Sequence, residues 1–184
     1  MAKAEGWKTK YTFKTPQGDW TKEKYDDGSW QEGYGAFGDR NTEANKTKWS
    51  GDDADVYIRR HFNVSKIEKD AKIRIVYSHD DVFELYLNGE KIVDTGNTWL
   101  DDQVVELTPA QAAKLHEGDN VIAAHCHNTT GGAYADFGIY YTPANVSNFD
   151  AAAEQLSCDV LATSSYYTFK CGPVKLNVVF TAPQ

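Results

Sequence analysis

Little in this sequence offers a reactive handle, and each absence narrows what the chain can do. Three cysteines in 184 residues are too few for a disulfide scaffold. No Cys-x-x-Cys, phosphate loop or Gly-x-Ser-x-Gly elbow occurs. The usual signatures of thiol redox, nucleotide and serine-hydrolase chemistry are therefore missing. Lys and Arg form no runs and the net charge is −8, whereas nucleic acid demands basic patches that displace phosphate counterions. No stretch of 18 apolar residues is present, so no membrane-spanning helix and no membrane partner are expected. Met1-Ala2-Lys3-Ala4 runs into polar sequence without the apolar core of a signal peptide.

What is abundant is aromatic: 13% of residues, with 11 Tyr and 5 Trp. Such side chains favour pleated, half-buried surfaces. The residue order agrees. Val56–Phe62, Lys72–Tyr77 and Phe83–Leu87 alternate apolar and polar positions, as half-buried strands do. Asn88-Gly89 follows the third of these and precedes Glu90-Lys91-Ile92-Val93. Both turn residues tolerate positive φ, so a type I′ hairpin is expected. Asn120–Cys126 and Ala135–Tyr141 supply further strands. One short helix is predicted: Thr108 as N-cap, Pro109 at the first helical position and Gln111 closing a capping box. It is expected to run through Leu115, stop at Gly118 and plug one end of the fold. These patterns predict an all-β, antiparallel jelly-roll β-sandwich with one short helix over residues 1–143. Residues 144–184 read as a C-terminal β segment, either the start of a following domain or strands packed on the sandwich. Its strands are expected at 157–162, 166–170 and 174–181, with Gly172-Pro173 as a turn. Ending just after an apolar strand suggests a longer natural protein. Cys158 and Cys171 flank two of these strands and are either bridged or reduced.

Two polar patches stand out as places for chemistry. Ser78-His79-Asp80-Asp81 ends a strand, and His125-Cys126-His127-Asn128 leads into a Gly-Gly turn and Asp136. Strand side chains alternate faces, so His125 and His127 share one face and Cys126 takes the other. If the strands either side of Gly131-Gly132 are neighbours, both histidines can meet Asp136. Three readings compete: a mutually satisfied structural network, contacts to sugar hydroxyls, and a divalent ion. His-x-His is a start for a zinc site. The Asp pair either caps a turn or ligates calcium, and turn-capping is preferred because calcium loops space their oxygens more closely. Arg59 or Arg60 is expected to pair with these carboxylates. Trp30 is expected to pack over the tight backbone of Gly33–Gly38. Trp49 and Trp99 lie in polar loops, and Trp99 is the better candidate for an exposed platform. The candidate ligand-binding set is His79, Asp80, His125, His127, Asn128, Asp136 and Trp99. No catalytic residue is singled out, since no carboxylate pair is marked at the separation glycoside cleavage needs. No cofactor is required, a structural calcium or other divalent ion being the alternative.

Four segments carry a resemblance to a known family: WQEGYGAFG (30–38), DVYIRRHFNV (55–64), YSHDDVFELYLNG (77–89) and NVIAAHCHNTTGGAYADFG (120–138). Together they resemble the galactose-binding-like sandwich found beside bacterial glycoside hydrolases, with family 2 β-galactosidases a relative in pattern. They are similar most of all to modules of bacterial glutaminase-A-like proteins. SYYTFKCGPVKLNVVFTAP (165–183) resembles the segment that follows such a module. The resemblance implies a non-catalytic accessory module of a secreted bacterial hydrolase, extracellular or periplasmic. Its implied partners are carbohydrate and the parent's catalytic domain. The alternatives are a structural spacer without a ligand and, less favoured, a hydrolase in its own right.

Overall fold

A computed structural model describes residues 8–39, 47–49, 54–64, 66–67 and 70–142, with the backbone of 159–163. Two sheets face each other, as the alternating strands predict. The first has the order β2 (Gln31–Tyr34), β1 (Lys8–Thr12), β5 (Asp55–Val64), β10 (Gly118–His127), β7 (Val82–Leu87) and β8 (Glu90–Asn97). The second runs β4 (Thr47–Lys48), β3 (Phe37–Gly38), β11 (Tyr134–Thr142), β6 (Lys72–Asp80) and β9 (Leu100–Glu106), with β12 (Asp159–Thr163) also paired to β11. The chain changes sheet from β5 to β6 to β7 and again from β9 to β10 to β11, the crossing pattern of a jelly roll. Pairing is antiparallel except for the two-residue match of β3 with β4.

Period-2 alternation builds the core. Phe83, Leu85 and Leu87 of β7 meet Ile122, Ala124 and Cys126 of β10 and, from the second sheet, Ile73, Ile75, Phe137 and Ile139. The Asn88-Gly89 hairpin forms with φ of 49° and 87°. Its strand β8 pairs with β7 through two register irregularities. The capping box at Thr108 is complete, with Thr108 Oγ1 accepting from the Gln111 backbone and Gln111 Oε1 accepting from the Thr108 N–H. The helix α1 (Pro109–Ala112) is shorter than predicted, a single turn. The next residues tighten into bonds of the i to i−3 kind, and Leu115 turns into the core. Asn120 ends the turn by accepting from the His116 N–H at 3.1 Å and donating to the His116 carbonyl at 2.7 Å. Gly118, with φ of +93°, opens β10 rather than closing the helix.

The segment between β1 and β2 straps the outer face of the first sheet. Trp20 packs edge-on against Tyr57 of β5 and Tyr86 of β7, at 5.3 and 5.7 Å between ring centroids. Arg59, wholly buried, reaches up from β5. Its Nε donates to Asp27 at 2.8 Å, its Nη1 donates to the Trp20 and Lys22 carbonyls, and its guanidinium lies 5.2 Å from the Tyr25 ring. Arg59 therefore does not take the Asp80-Asp81 role foreseen for one of the pair. Arg60 donates to the Lys8 carbonyl. Trp49 is also corrected: it is wholly buried in the core cluster rather than solvent-facing. Trp30 packs on Trp20 and Tyr25, and the close approach in the following Gly-rich run is that of the Thr47 hydroxyl and the Tyr11 ring to Gly33.

Of the predicted tail strands, β12 pairs antiparallel with β11. The strands at 166–170 and 174–181, and the Cys158 and Cys171 pair, lie outside the described residues.

Candidate functional site

At the end of the sandwich opposite the strap's Arg59 anchor, the outer face of the first sheet stays open. Register sets two rows of side chains across it. One row is Thr12, Tyr57, His125, Glu84 and Asp94; the other is Asp55, His127, Val82 and Asn97. Cross-strand neighbours on one face stand close enough to interact, and here they do. His125 presents Nε2 to Asp55 Oδ1 at 2.7 Å and Nδ1 to Glu84 Oε2 at 3.3 Å. His127 Nδ1 shares the same Asp55 oxygen at 2.9 Å. The His125 ring stacks on Tyr57 at 4.4 Å with 5° between planes. Lys91 bridges Glu84 and Asp94.

The charges follow from these contacts. Burial raises the Asp55 carboxyl, but hydrogen bonds from His125 and His127 outweigh it and leave the group below the usual carboxylate value. Glu84 shows the same balance, with burial opposed by Lys91 and His125. The Lys91 ammonium is raised by Glu84 and Asp94. The result is three ionised carboxylates, Asp55, Glu84 and Asp94, with two imidazoles and an ammonium, all partly open to solvent.

The loops at this end complete the rim. Asp81 Oδ2 accepts from the N–H groups of Thr129 and Thr130 at 2.7 and 3.2 Å and from the Thr129 hydroxyl. It caps the β10–β11 loop, the turn-capping role preferred for the Asp pair. The Asn128 N–H donates to the Ala54 carbonyl at 2.7 Å, and the Asn128 Oδ1 is buried without a hydrogen-bond partner among the described residues. Trp99, in the β8–β9 connection two residues beyond Asn97, is 62% exposed.

The candidate residues thus divide by layer. His125 and His127 come together on the outer face of the first sheet, with Asn128 following them. His79 lies inside the sandwich, fully buried, packed beside the mutually stacked rings of Tyr77 and Phe83, its Nδ1 donating to the Asp81 carbonyl at 2.8 Å. Burial holds its pKa below the ordinary imidazole value. Asp136 is buried on β11, in register with Ser78 of β6. The Asp80 carbonyl accepts from the Cys126 thiol at 3.6 Å. The expected meeting of both histidines with Asp136 does not occur, because β10 and β11 belong to different sheets. Among the described residues no group of three or more His, Cys, Asp or Glu side chains is placed to hold a metal ion. Asp55, Tyr57, Glu84 and Lys91 were missed. The alternation Asp55, Tyr57, Arg59, His61 marks them as one face, but only the register shows which histidine they serve.

No family profile matches the chain, and no curated protein matches its sequence. Among solved structures it is similar to a β-glucuronidase from glycoside hydrolase family 2, with a TM-score of 0.51 and 20% identity over 74% of this chain and 17% of that one. It is also similar to a glycoside hydrolase family 2 member from Bacteroides cellulosilyticus, with a TM-score of 0.53 and 13% identity over 74% of this chain and 20% of that one. At such identities the likeness is one of fold: a β-sandwich that occurs as part of much longer hydrolase chains. Nothing in it bears on the glutaminase-A-like part of the resemblance. Within the described residues no helix is long and apolar enough to cross a membrane.

Proposed function

We propose that the chain is a non-catalytic accessory module of a larger exported hydrolase, and that it binds carbohydrate at the open end of the first sheet. The observation that carries this reading is the pairing of the Asp55–His125–His127–Glu84 cluster with the exposed ring of Trp99 at the same end. Sugars offer hydroxyls that donate to carboxylates and accept from N–H groups, and a C–H face that lies flat on an aromatic ring. Asp55 and Glu84 supply acceptors, the imidazoles and Lys91 supply donors, and Trp99 supplies the ring. The likeness of the fold to part of the family 2 glycoside hydrolases supports the accessory role. The glutaminase-A-like neighbourhood, the catalytic partner domain and the extracellular or periplasmic location rest on the sequence resemblance.

Calorimetric titration and a glycan array test the reading. The expected result is saturable binding of at least one neutral sugar, lost in both Trp99→Ala and Asp55→Asn. A second reading, a spacer with no ligand, is favoured by the way the four polar groups satisfy one another, and silence at millimolar sugar would establish it. Turnover of a chromogenic glycoside or of glutamine by the purified chain would overturn the non-catalytic role.

A further inference from the structure

Asp81 is the single residue between β6 and β7, so the chain crosses from the second sheet to the first at this point. Its polar groups reach out in three directions. The N–H donates to the His127 carbonyl at 3.4 Å, and Oδ2 accepts from Thr129 and Thr130 in the β10–β11 loop. The carbonyl accepts from His79 Nδ1 at 2.8 Å, inside the sandwich. One imidazole of the core thus grips the residue that holds both the end of β10 and the loop at the rim. The Cys126 thiol faces the neighbouring Asp80 carbonyl at 3.6 Å.

That grip is sensitive to one proton. His79 is wholly buried, and its Nε2 has no hydrogen-bond partner among the described residues. With the ring proton on Nδ1, a neutral imidazole leaves Nε2 bare. A second proton there would create a charge without an acceptor in a dry core, at heavy desolvation cost. The surroundings give it little relief. Tyr77 on its own strand and Phe83 on β7 stack beside it, and its register neighbours are Ala135 of β11 and Leu100 of β9. Burial raises the Tyr77 hydroxyl and the Cys126 thiol, so both stay neutral. Of the turn's two acids, Asp80 and Asp81, Asp81 favours the charged ring through its carbonyl and its charge. Burial outweighs it and holds the imidazole below its ordinary 6.5. Once opened to water, the ring takes up its proton at the ordinary value. The closed arrangement is therefore fully stable above 6.5 and weakens as pH falls below it. The Asp81 carboxyl, lowered from 3.8 chiefly by the Thr129 hydroxyl, goes on capping the loop to more acid pH.

We propose that His79 is a positioning residue for the rim: a neutral imidazole latch that holds Asp81 and the β10–β11 loop in place and releases them on acidification. The latch concerns how the rim is held and does not depend on what the rim binds. The test is amide hydrogen exchange of Thr129 and Thr130 in the whole chain, corrected for intrinsic rate, with the imidazole ¹⁵N shifts of His79 followed in parallel. Protection of the two amides should fall about tenfold between about pH 6.5 and pH 5, while Ile122 and Ala124 in the core stay protected. The His79 ring and the two loop amides should titrate together. His79→Phe fills the space but donates nothing, and should lower the loop's protection about fivefold already at neutral pH. His79→Asn keeps an N–H donor and takes up no proton in this range. It should hold the neutral-pH protection and abolish the acid response. An acid response that survives in His79→Asn belongs to His125 or His127 on the outer face and would overturn the proposal. So would wild-type protection that is flat across the range, or a His79 ring that takes up its proton while the loop amides stay protected. These last two outcomes are read on the unmodified chain, so they decide the matter even where a substitution prevents folding.

Discussion

The outer face of the first sheet is two surfaces made by one alternation. Under the strap, Arg59, Tyr57 and Tyr86 are closed over by Trp20, and the guanidinium finds a carboxylate and two carbonyls. Beyond the strap, Asp55, His125, His127 and Glu84 satisfy one another while keeping an edge to solvent. The residue types are alike; cover makes the difference. A covered polar row becomes a second small core, stabilising only while every partner is present. An open polar row keeps capacity to bind something else.

That contrast can be broken from the covered side first. Arg59→Met should be the most damaging change, about 3–5 kcal/mol in chemical denaturation, because it strands Asp27 beneath the strap. Trp20→Ala should cost about 2–3 kcal/mol, as its ring is half-buried rather than fully enclosed. It should also speed amide exchange in Val121 and Ala123, which the strap helps to bury. Gly89→Ala should cost about 1–2 kcal/mol: its φ is +87° and a Cβ would meet Lys22 Cγ of the strap at 2.8 Å. On the open side the effects should be smaller and pH-dependent. Asp55 has a folded pKa below its ordinary 3.8, so its stabilisation is present above that value and is lost as pH falls through the lowered one. Urea midpoints of wild type and Asp55→Asn should therefore differ at neutral pH and converge in acid; a constant gap would refute the assignment. Trp99→Ala should change stability by less than about 0.5 kcal/mol, being exposed.

How much of this was legible follows from the range of each cause. Local causes were readable: the alternation of β5, β6 and β7, the Asn88-Gly89 turn and the capping box at Thr108 all act within a few residues. The same alternation carries Ile73, Ile75, Tyr77 and His79 to one side, so the inward direction of His79 could have been read by the rule that placed His125 outside. Non-local causes were not readable. Gly131-Gly132 is compatible both with a hairpin and with a crossing between sheets, and the second choice separates His127 from Asp136. Nor does a polar stretch such as 14–30 announce that it will fold back and bury Arg59. Trp49 looked loop-like for the same reason, since its neighbours are polar while its own ring is in the core.

The irregular pairing of β8 has a consequence for how the molecule meets copies of itself. As an outer strand of the first sheet, β8 would offer unpaired backbone groups to any passing extended chain. Its two register irregularities bend the ladder, and Glu90, Lys91 and Asp94 line it with charge. A curved, charged border makes a poor template, so this rim of the sandwich is built to resist edge-to-edge growth into aggregates.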